Sequence, residues 1–129
     1  MVFTIISDNT PPEGINLVPY IGEEGLDWQW NAVDGPETGR VMSALMERAL
    51  ITFKDKCEVS LLWMPKETAV MIHKALMVKF LTVITDTIPW EEGTVTKTFY
   101  ANNGKQACLT EYTDGTKLYG DLTFPLIER

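Results

Sequence analysis

Hydrophobic and polar positions alternate most cleanly from Phe53 to Trp63 (FKDKCEVSLLW). Cys57, Val59, Leu61 and Trp63 fall at every second place there, with Lys56, Glu58 and Ser60 between them. That period of two marks a strand with one buried face. Met64-Pro65 ends the run, because proline has no N–H for a ladder yet fits the first turn of a helix. From Lys66 to Leu76 the spacing becomes helical: Ala69, Ile72, His73 and Leu76 share a face, and Glu67 sets a carboxylate in the first turn, where the helix dipole favours it. A helix this short is marginal alone in water, so it must be held by the strands on either side. Lys79 to Thr85 (KFLTVIT) then returns to β-branched and aromatic residues, the composition of a pleated strand.

The rest of the chain is mostly strand and turn. Phe3 to Ile6 predicts a first strand, followed by a turn cluster from Ser7 to Gly14. Ile15 to Ile21 is a second short strand, which Pro19 confines to an edge or a bulge. Gly22-Glu23-Glu24-Gly25 reads as a turn. Leu26, Trp28 and Trp30 then alternate with Asp27, Gln29 and Asn31, a half-exposed strand with two indoles on one side. Asn31 to Leu50 is long for a connection in a small domain, the kind of segment that often carries function. Asp34-Gly35-Pro36 and Thr38-Gly39 break it, and Met42, Ala44, Leu45, Met46, Ala49 and Leu50 could form a short helix near its end. Beyond the central unit, Asp86 to Gly93 is a turn-rich loop and Thr94 to Ala101 a strand. Asn102-Asn103-Gly104 signals a tight hairpin, with Gln106 to Thr113 pairing back across it. Asp114-Gly115 makes another turn, and Thr116 to Ile127 closes the chain as one long strand with Leu118, Leu122, Phe124 and Leu126 on one face. The pattern comes to about seven strands and one or two helices. It predicts a mainly β (α+β) fold: an antiparallel β-sandwich or barrel with one short helix, at about residues 65–76, packed at its side.

Length and charge narrow this further. A chain of 129 residues, 45% of them hydrophobic, makes one domain, residues 1–129, with a single modest core and an extended arm at about 31–50. The net charge of −7, with no run of Lys or Arg, repels a phosphate backbone and argues against specific nucleic-acid binding. Cys57 and Cys108 both have strand-like neighbours and read as reduced core residues of a protein made in a cytosol, with a disulfide between them as the alternative. The opening MVFTIISDNTPP is apolar only to Ile6 and has no basic region. It predicts neither a cleaved export signal nor a membrane span, which needs about 20 apolar residues.

Reactive groups are sparse. His73, the single histidine, sits on the helix and reads as a satisfied or half-buried imidazole. Nothing around Ser7, Ser43 or Ser60 suggests an activated nucleophile, and one histidine with two scattered cysteines does not make a zinc set. Neither G-x-x-x-x-G-K-[ST] nor G-x-G-x-x-G occurs. The expectation is therefore a non-enzymatic protein with no cofactor and no metal. Glu23-Glu24 and Glu91-Glu92 are paired acids on loops and read as surface charge. Met42 and Met46 suit either an adaptable interface or a cap on the core, and Trp28 and Trp30 either core packing or a binding platform.

A family resemblance enters in the second half. KDKCEVSLLWMPKETAVMIHKAL, the strand KFLTVITD, the loop ending at Gly93, TVTKTFYANN and the terminal DLTFPLIER together resemble the small tail proteins of phages and prophages of Gram-positive bacteria. Gly39-Arg40, Thr96 to Tyr100 and Leu126-Ile127-Glu128-Arg129 carry the likeness, which covers about residues 38–129 in pattern and order and leaves residues 1–30 outside it. It implies a structural subunit of the tail tube, the distal tail or a joining ring. Such proteins share a β-sandwich flanked by one helix and assemble as rings, commonly hexamers, with copies of themselves and with other tail proteins. The protein is then expected in the virion tail, after assembly in the bacterial host cytoplasm. On that reading Trp28, Trp30, Arg40, Met42 and Met46 are candidate interface residues. Glu23, Glu24, Glu91 and Glu92 would face a lumen that repels DNA phosphates. The competing expectation is a monomeric β-sandwich module that holds a peptide or a sugar on Trp28, Trp30 and Trp90.

Overall fold

A computed structural model describes residues 1–34 and 50–129. Its main sheet is built from β1 (Phe3–Ile6), β2 (Ile15–Asn16), β3 (Ile21–Asp34), β4 (Leu50–Leu61), β6 (Leu81–Thr85), β7 (Val95–Ala101) and β10 (Leu122–Glu128). The strands are antiparallel throughout and ordered β2-β1-β6-β7-β10-β4-β3. This sheet curls into a half-barrel, and the protein is mainly β with one short helix, α1 (Lys66–Leu76). A smaller sheet, ordered β5-β9-β8, joins β5 (Met64–Pro65), β9 (Lys117–Tyr119) and β8 (Cys108–Glu111).

The period of two in the sequence is what gives the half-barrel an inside. Cys57, Val59 and Leu61 are buried on β4, and Leu122, Phe124 and Leu126 on β10. The register sets them opposite each other as Leu61–Leu122, Val59–Phe124 and Cys57–Leu126, the side-by-side apolar pairs that stabilise a sheet face. Phe3 and Ile5 of β1, Leu81 and Val83 of β6 and Phe99 of β7 extend the same surface. Helix α1 contributes Ala69, Ile72, Ala75 and Leu76 to that cluster. Its entry is set by Pro65 in an extended conformation, with Glu67 in the first turn. It stops at Met77, whose N–H donates to the His73 carbonyl at 3.0 Å.

Several expectations are corrected, each by a contact distant in sequence. Strand β4 ends at Leu61 because the Leu62 N–H donates to the Tyr20 carbonyl at 2.7 Å and turns the chain. Trp63 is therefore 61% exposed, and Met64 takes the buried place. Met64-Pro65 is itself a two-residue strand paired with Tyr119 and Leu118, not a plain break. Ile15 to Ile21 divides into β2 and a 3-10 turn at Val18–Tyr20, with Pro19 inside the turn. Gly22 to Gly25 is a wide bulge within β3, since Ile21 pairs with Leu61 and Leu26 with Val59. Glu24 takes a positive φ of 57° there.

The Asn102-Asn103-Gly104 hairpin does not form. Strand β7 already has β6 on one side and β10 on the other, so a returning strand has no free edge to join. The chain instead bridges Lys105 to Thr123 and crosses to the small sheet. There the Asp114-Gly115 turn does close a hairpin, between β8 and β9, with Gly115 at φ 89° and the Thr116 N–H on Asp114 Oδ1 at 2.9 Å. Thr116 to Ile127 is not one strand. The Gly120 N–H is spent on the Ala107 carbonyl, and the run splits into β9 and β10, which leaves half-buried Leu118 in the small sheet. Cys57 is buried, but Cys108 is exposed on β8, and both thiols are free. The two ends of the expected arm, Asn31 to Asp34 and Leu50, are strand, and Leu50 belongs to β4 and not to a helix. Arg40, Met42 and Met46, with the rest of 35–49, lie outside the described residues.

Gly14 offers a direct check on how tightly the first turn seats on β1. It holds φ +79°, and a Cβ added there would lie 2.5 Å from the Ile5 carbonyl oxygen and 2.6 Å from Ile6 Cγ1. Gly93 has φ +71° but open space around it. Gly14→Ala should cost about 2–3 kcal/mol and Gly93→Ala about 1 kcal/mol, read as shifts of the urea unfolding midpoint.

Candidate functional site

The inner rows of the half-barrel change character at one end. On β4 the next inward position beyond Cys57 is Asp55, on β7 the one beyond Phe99 is Lys97, and on β10 the one beyond Leu126 is Glu128. Asp55 is only 4% exposed. Its Oδ2 accepts a hydrogen bond from Lys97 Nζ at 2.6 Å, and its Oδ1 accepts one from the Trp90 indole Nε1–H at 3.0 Å. The Asp55 backbone N–H donates to Glu128 Oε1 at 2.8 Å. Lys97 donates a further bond to Glu91 Oε1 at 3.0 Å.

Trp90 and Glu91 come from the loop between β6 and β7, and that loop is pinned along its length. Asp86 Oδ1 accepts the Val2 N–H at 2.7 Å, Ile88 is buried, and the Glu91 N–H closes a turn on the Ile88 carbonyl. Thr87 accepts the Trp28 indole N–H at 3.1 Å and shares a hydrogen bond with Thr85 Oγ1. Burial pushes the Lys97 ammonium down. The bonds it donates to Asp55 and Glu91, with the charges of Asp55 and Glu128, more than reverse this and hold its pKa above the usual lysine value.

Above the ion cluster stands an aromatic corner. Trp30, opposite Asp55 on β3, meets Phe53 edge to face, with centroids 5.5 Å apart and planes at 88°. With Trp90, Asp55, Glu91 and Lys97 they line a hollow of about 310 Å³. Trp30, Phe53 and Trp90 are 57%, 51% and 39% exposed. Trp28 belongs elsewhere: it is half-buried against Phe3 and Phe99, with centroids at 6.4 and 6.1 Å. The three indoles Trp28, Trp30 and Trp90 therefore do not form one platform. Phe53, Asp55 and Lys97 are the members that the sequence reading missed. The signal for the first two was present, because both continue the alternation of Cys57, Val59 and Leu61.

The acid pairs part company as well. Glu23 and Glu24 are exposed on the β3 bulge and Glu92 is exposed on its loop, while Glu91 is half-buried and held by Lys97. His73 is half-buried, with Nε2 2.8 Å from Gln106 Oε1, and Gln106 in turn donates to the Gly120 carbonyl. The imidazole thus ties α1 to the strand crossing into the small sheet. Burial drives the Cys57 thiol up to about 12, which keeps it protonated and unreactive. Among the described residues no three His, Cys, Asp or Glu side chains gather as a metal-ligand set, and no helix is long and apolar enough to cross a membrane.

Two strand edges also stand open among the described residues. β3, at one end of the main sheet, pairs with β4 on one side only. β8, at one end of the small sheet, has all four residues exposed, and Leu109 beside Thr110 is 58% exposed. Compared with known proteins, the chain matches no family model and no curated sequence.

Asp55→Ala should cost about 2–4 kcal/mol, because it strands a lysine and an indole N–H. Glu91→Gln should cost less than about 1 kcal/mol, since that bond is nearer solvent; chemical denaturation of both variants checks the contrast. Alkaline stability gives a second check. The Cys57 thiol rises from 9.0 to about 12 on folding, so its contribution is whole below pH 9.0 and is lost as pH climbs towards 12. Raised Lys97 acts in the same sense, its contribution fading as pH rises through its folded value. Stability should therefore fall with pH above 9.0, and less steeply in Cys57→Ala.

Proposed function

We propose that this chain is a structural subunit of a phage or prophage tail, in its tube, its distal part or a joining ring. It works by adding to copies of itself and to other tail proteins through its open strand edges. The observation that carries the reading is β3. It runs fourteen residues from Ile21 to Asp34 with a hydrogen-bonded partner on one side only among the described residues. An uncovered edge of that length is a template for another strand. A ring needs two unlike surfaces on every subunit, so that each contact is head to tail and the rotation closes. The exposed edge of β8 supplies a second surface.

The element order that carries the family resemblance also supports the reading: a long strand, a proline step, a short helix, a strand, a loop and a further strand follow as β4, β5, α1, β6, the 86–94 segment and β7. In such a ring Glu23, Glu24 and Glu92 would supply charge against DNA phosphates, whereas Glu91 is committed to Lys97. The competing reading, a monomeric binding module, is favoured by the Trp30–Phe53–Trp90 hollow.

Light scattering on sized fractions should reveal species above the 14.6 kDa chain as concentration rises. In Gln29→Cys, a thiol cross-linker should join β3 of one copy to Cys108 of the next and give a ladder of multimers. Adding Cys108→Ser should abolish the ladder. A strict monomer at every concentration, with no cross-linked species, overturns self-assembly and leaves the module. Dimers that survive Cys108→Ser would mean that β3 pairs with β3.

A further inference from the structure

We infer that the hollow at the end of the half-barrel binds a small molecule through an alkylated ammonium group. This goes beyond assembly and does not depend on it. Three observations on the same few residues carry the inference. Trp30 and Phe53 stand at 88° to each other, forming two walls of a corner, and Trp90 is a third aromatic residue in the lining. The Trp90 indole is fixed in place by its N–H bond to a carboxylate that is 4% exposed. The faces of aromatic rings carry negative potential and attract cations, most strongly where water is partly excluded.

Charge supplies the second observation. Among the described residues, Asp55, Glu91 and Glu128 bring three negative charges around the single positive charge of Lys97, a balance of −2. The field in the hollow therefore favours a cation even with the lysine present.

The third observation separates one kind of cation from another. Asp55 spends Oδ2 on Lys97 and Oδ1 on Trp90, Glu91 spends Oε1 on Lys97, and Glu128 spends Oε1 on the Asp55 N–H. A primary ammonium or a guanidinium entering here would bring several N–H groups to a corner whose buried carboxylate, Asp55, already has both oxygens engaged, and it would lose its water in doing so. A methylated ammonium has few or no N–H groups to satisfy. It is held by field and ring faces alone, and its alkyl groups gain from contact with the indoles. The volume of about 310 Å³ leaves room for such a head group and part of its chain.

Choline is a suitable probe, and 3,3-dimethylbutan-1-ol has the same shape without the charge. The readout is the four indole N–H signals of the ¹⁵N-labelled full chain, one from each tryptophan. Choline chloride, titrated against sodium chloride at matched ionic strength, should shift the Trp30 and Trp90 signals to saturation and leave Trp28 and Trp63 in place. The neutral alcohol should bind at least ~10-fold more weakly, and Trp30→Ala, followed on the Trp90 signal, should weaken choline by at least ~10-fold. Glu91→Gln, which keeps every ring, should weaken it by about 3-fold through loss of charge. Equal binding of the neutral alcohol overturns the inference, as does binding unaltered by Trp30→Ala in a chain whose spectrum stays dispersed. So does the absence of any saturable shift. None of these outcomes depends on whether the chain forms rings.

Discussion

A slip of one residue between β4 and β10 would turn Cys57, Val59 and Leu61 out to solvent and bring Lys56, Glu58 and Ser60 inside. The register of this one pair therefore decides what the half-barrel contains. Phe124, wedged opposite Val59 and almost wholly buried, is the largest side chain in the contact, and losing such a ring costs about 3–5 kcal/mol. The helix follows from the same register. Its eleven residues could not persist alone, and they are ordered because Ala69, Ile72, Ala75 and Leu76 complete the cluster that β4 and β10 begin.

The same strands that make the interior also make the site. Their inward rows are apolar through Cys57, Phe99 and Leu126 and then turn charged at Asp55, Lys97 and Glu128. A buried carboxylate is costly unless its oxygens are satisfied, and Asp55 meets that cost with a lysine and an indole. The arrangement ties β4, β7, β10 and the 86–93 segment to one point. It also holds Trp90 in a fixed pose beside Trp30 and Phe53. Rigidity at this end and exposure of its aromatic faces come from one set of bonds.

What could be read from the sequence was whatever depends on near neighbours. The alternation of β4, the helical spacing of Ala69, Ile72 and Leu76, the helix start after Pro65 and the Asp114-Gly115 turn are all local, and the fold class followed from them. What was misread depends on what lies alongside. Asn103-Gly104 carries the chemistry of a hairpin, yet β7 has no edge left for one. Gly22 to Gly25 looks like a turn, yet it bulges because β3 continues along β4 on both sides of it. Trp63 keeps the phase of the strand, yet a bond from Leu62 to Tyr20 ends the strand first. The site was half legible. Extending the alternation outward reaches Phe53 and Asp55, but nothing local brings Trp90 and Glu91 to them.

The bulge in β3 has a bearing on how far a neighbouring strand could run. Gly25 is buried so closely against β4 that an added Cβ would stand 2.8 Å from the Ser60 carbonyl oxygen. The backbone must therefore leave the line of the edge at that point. A strand zipping onto β3 finds regular geometry from Leu26 to Val33 and loses it at Gly25. The edge carries its own end-stop, one that sets the length of the contact a neighbouring strand can make.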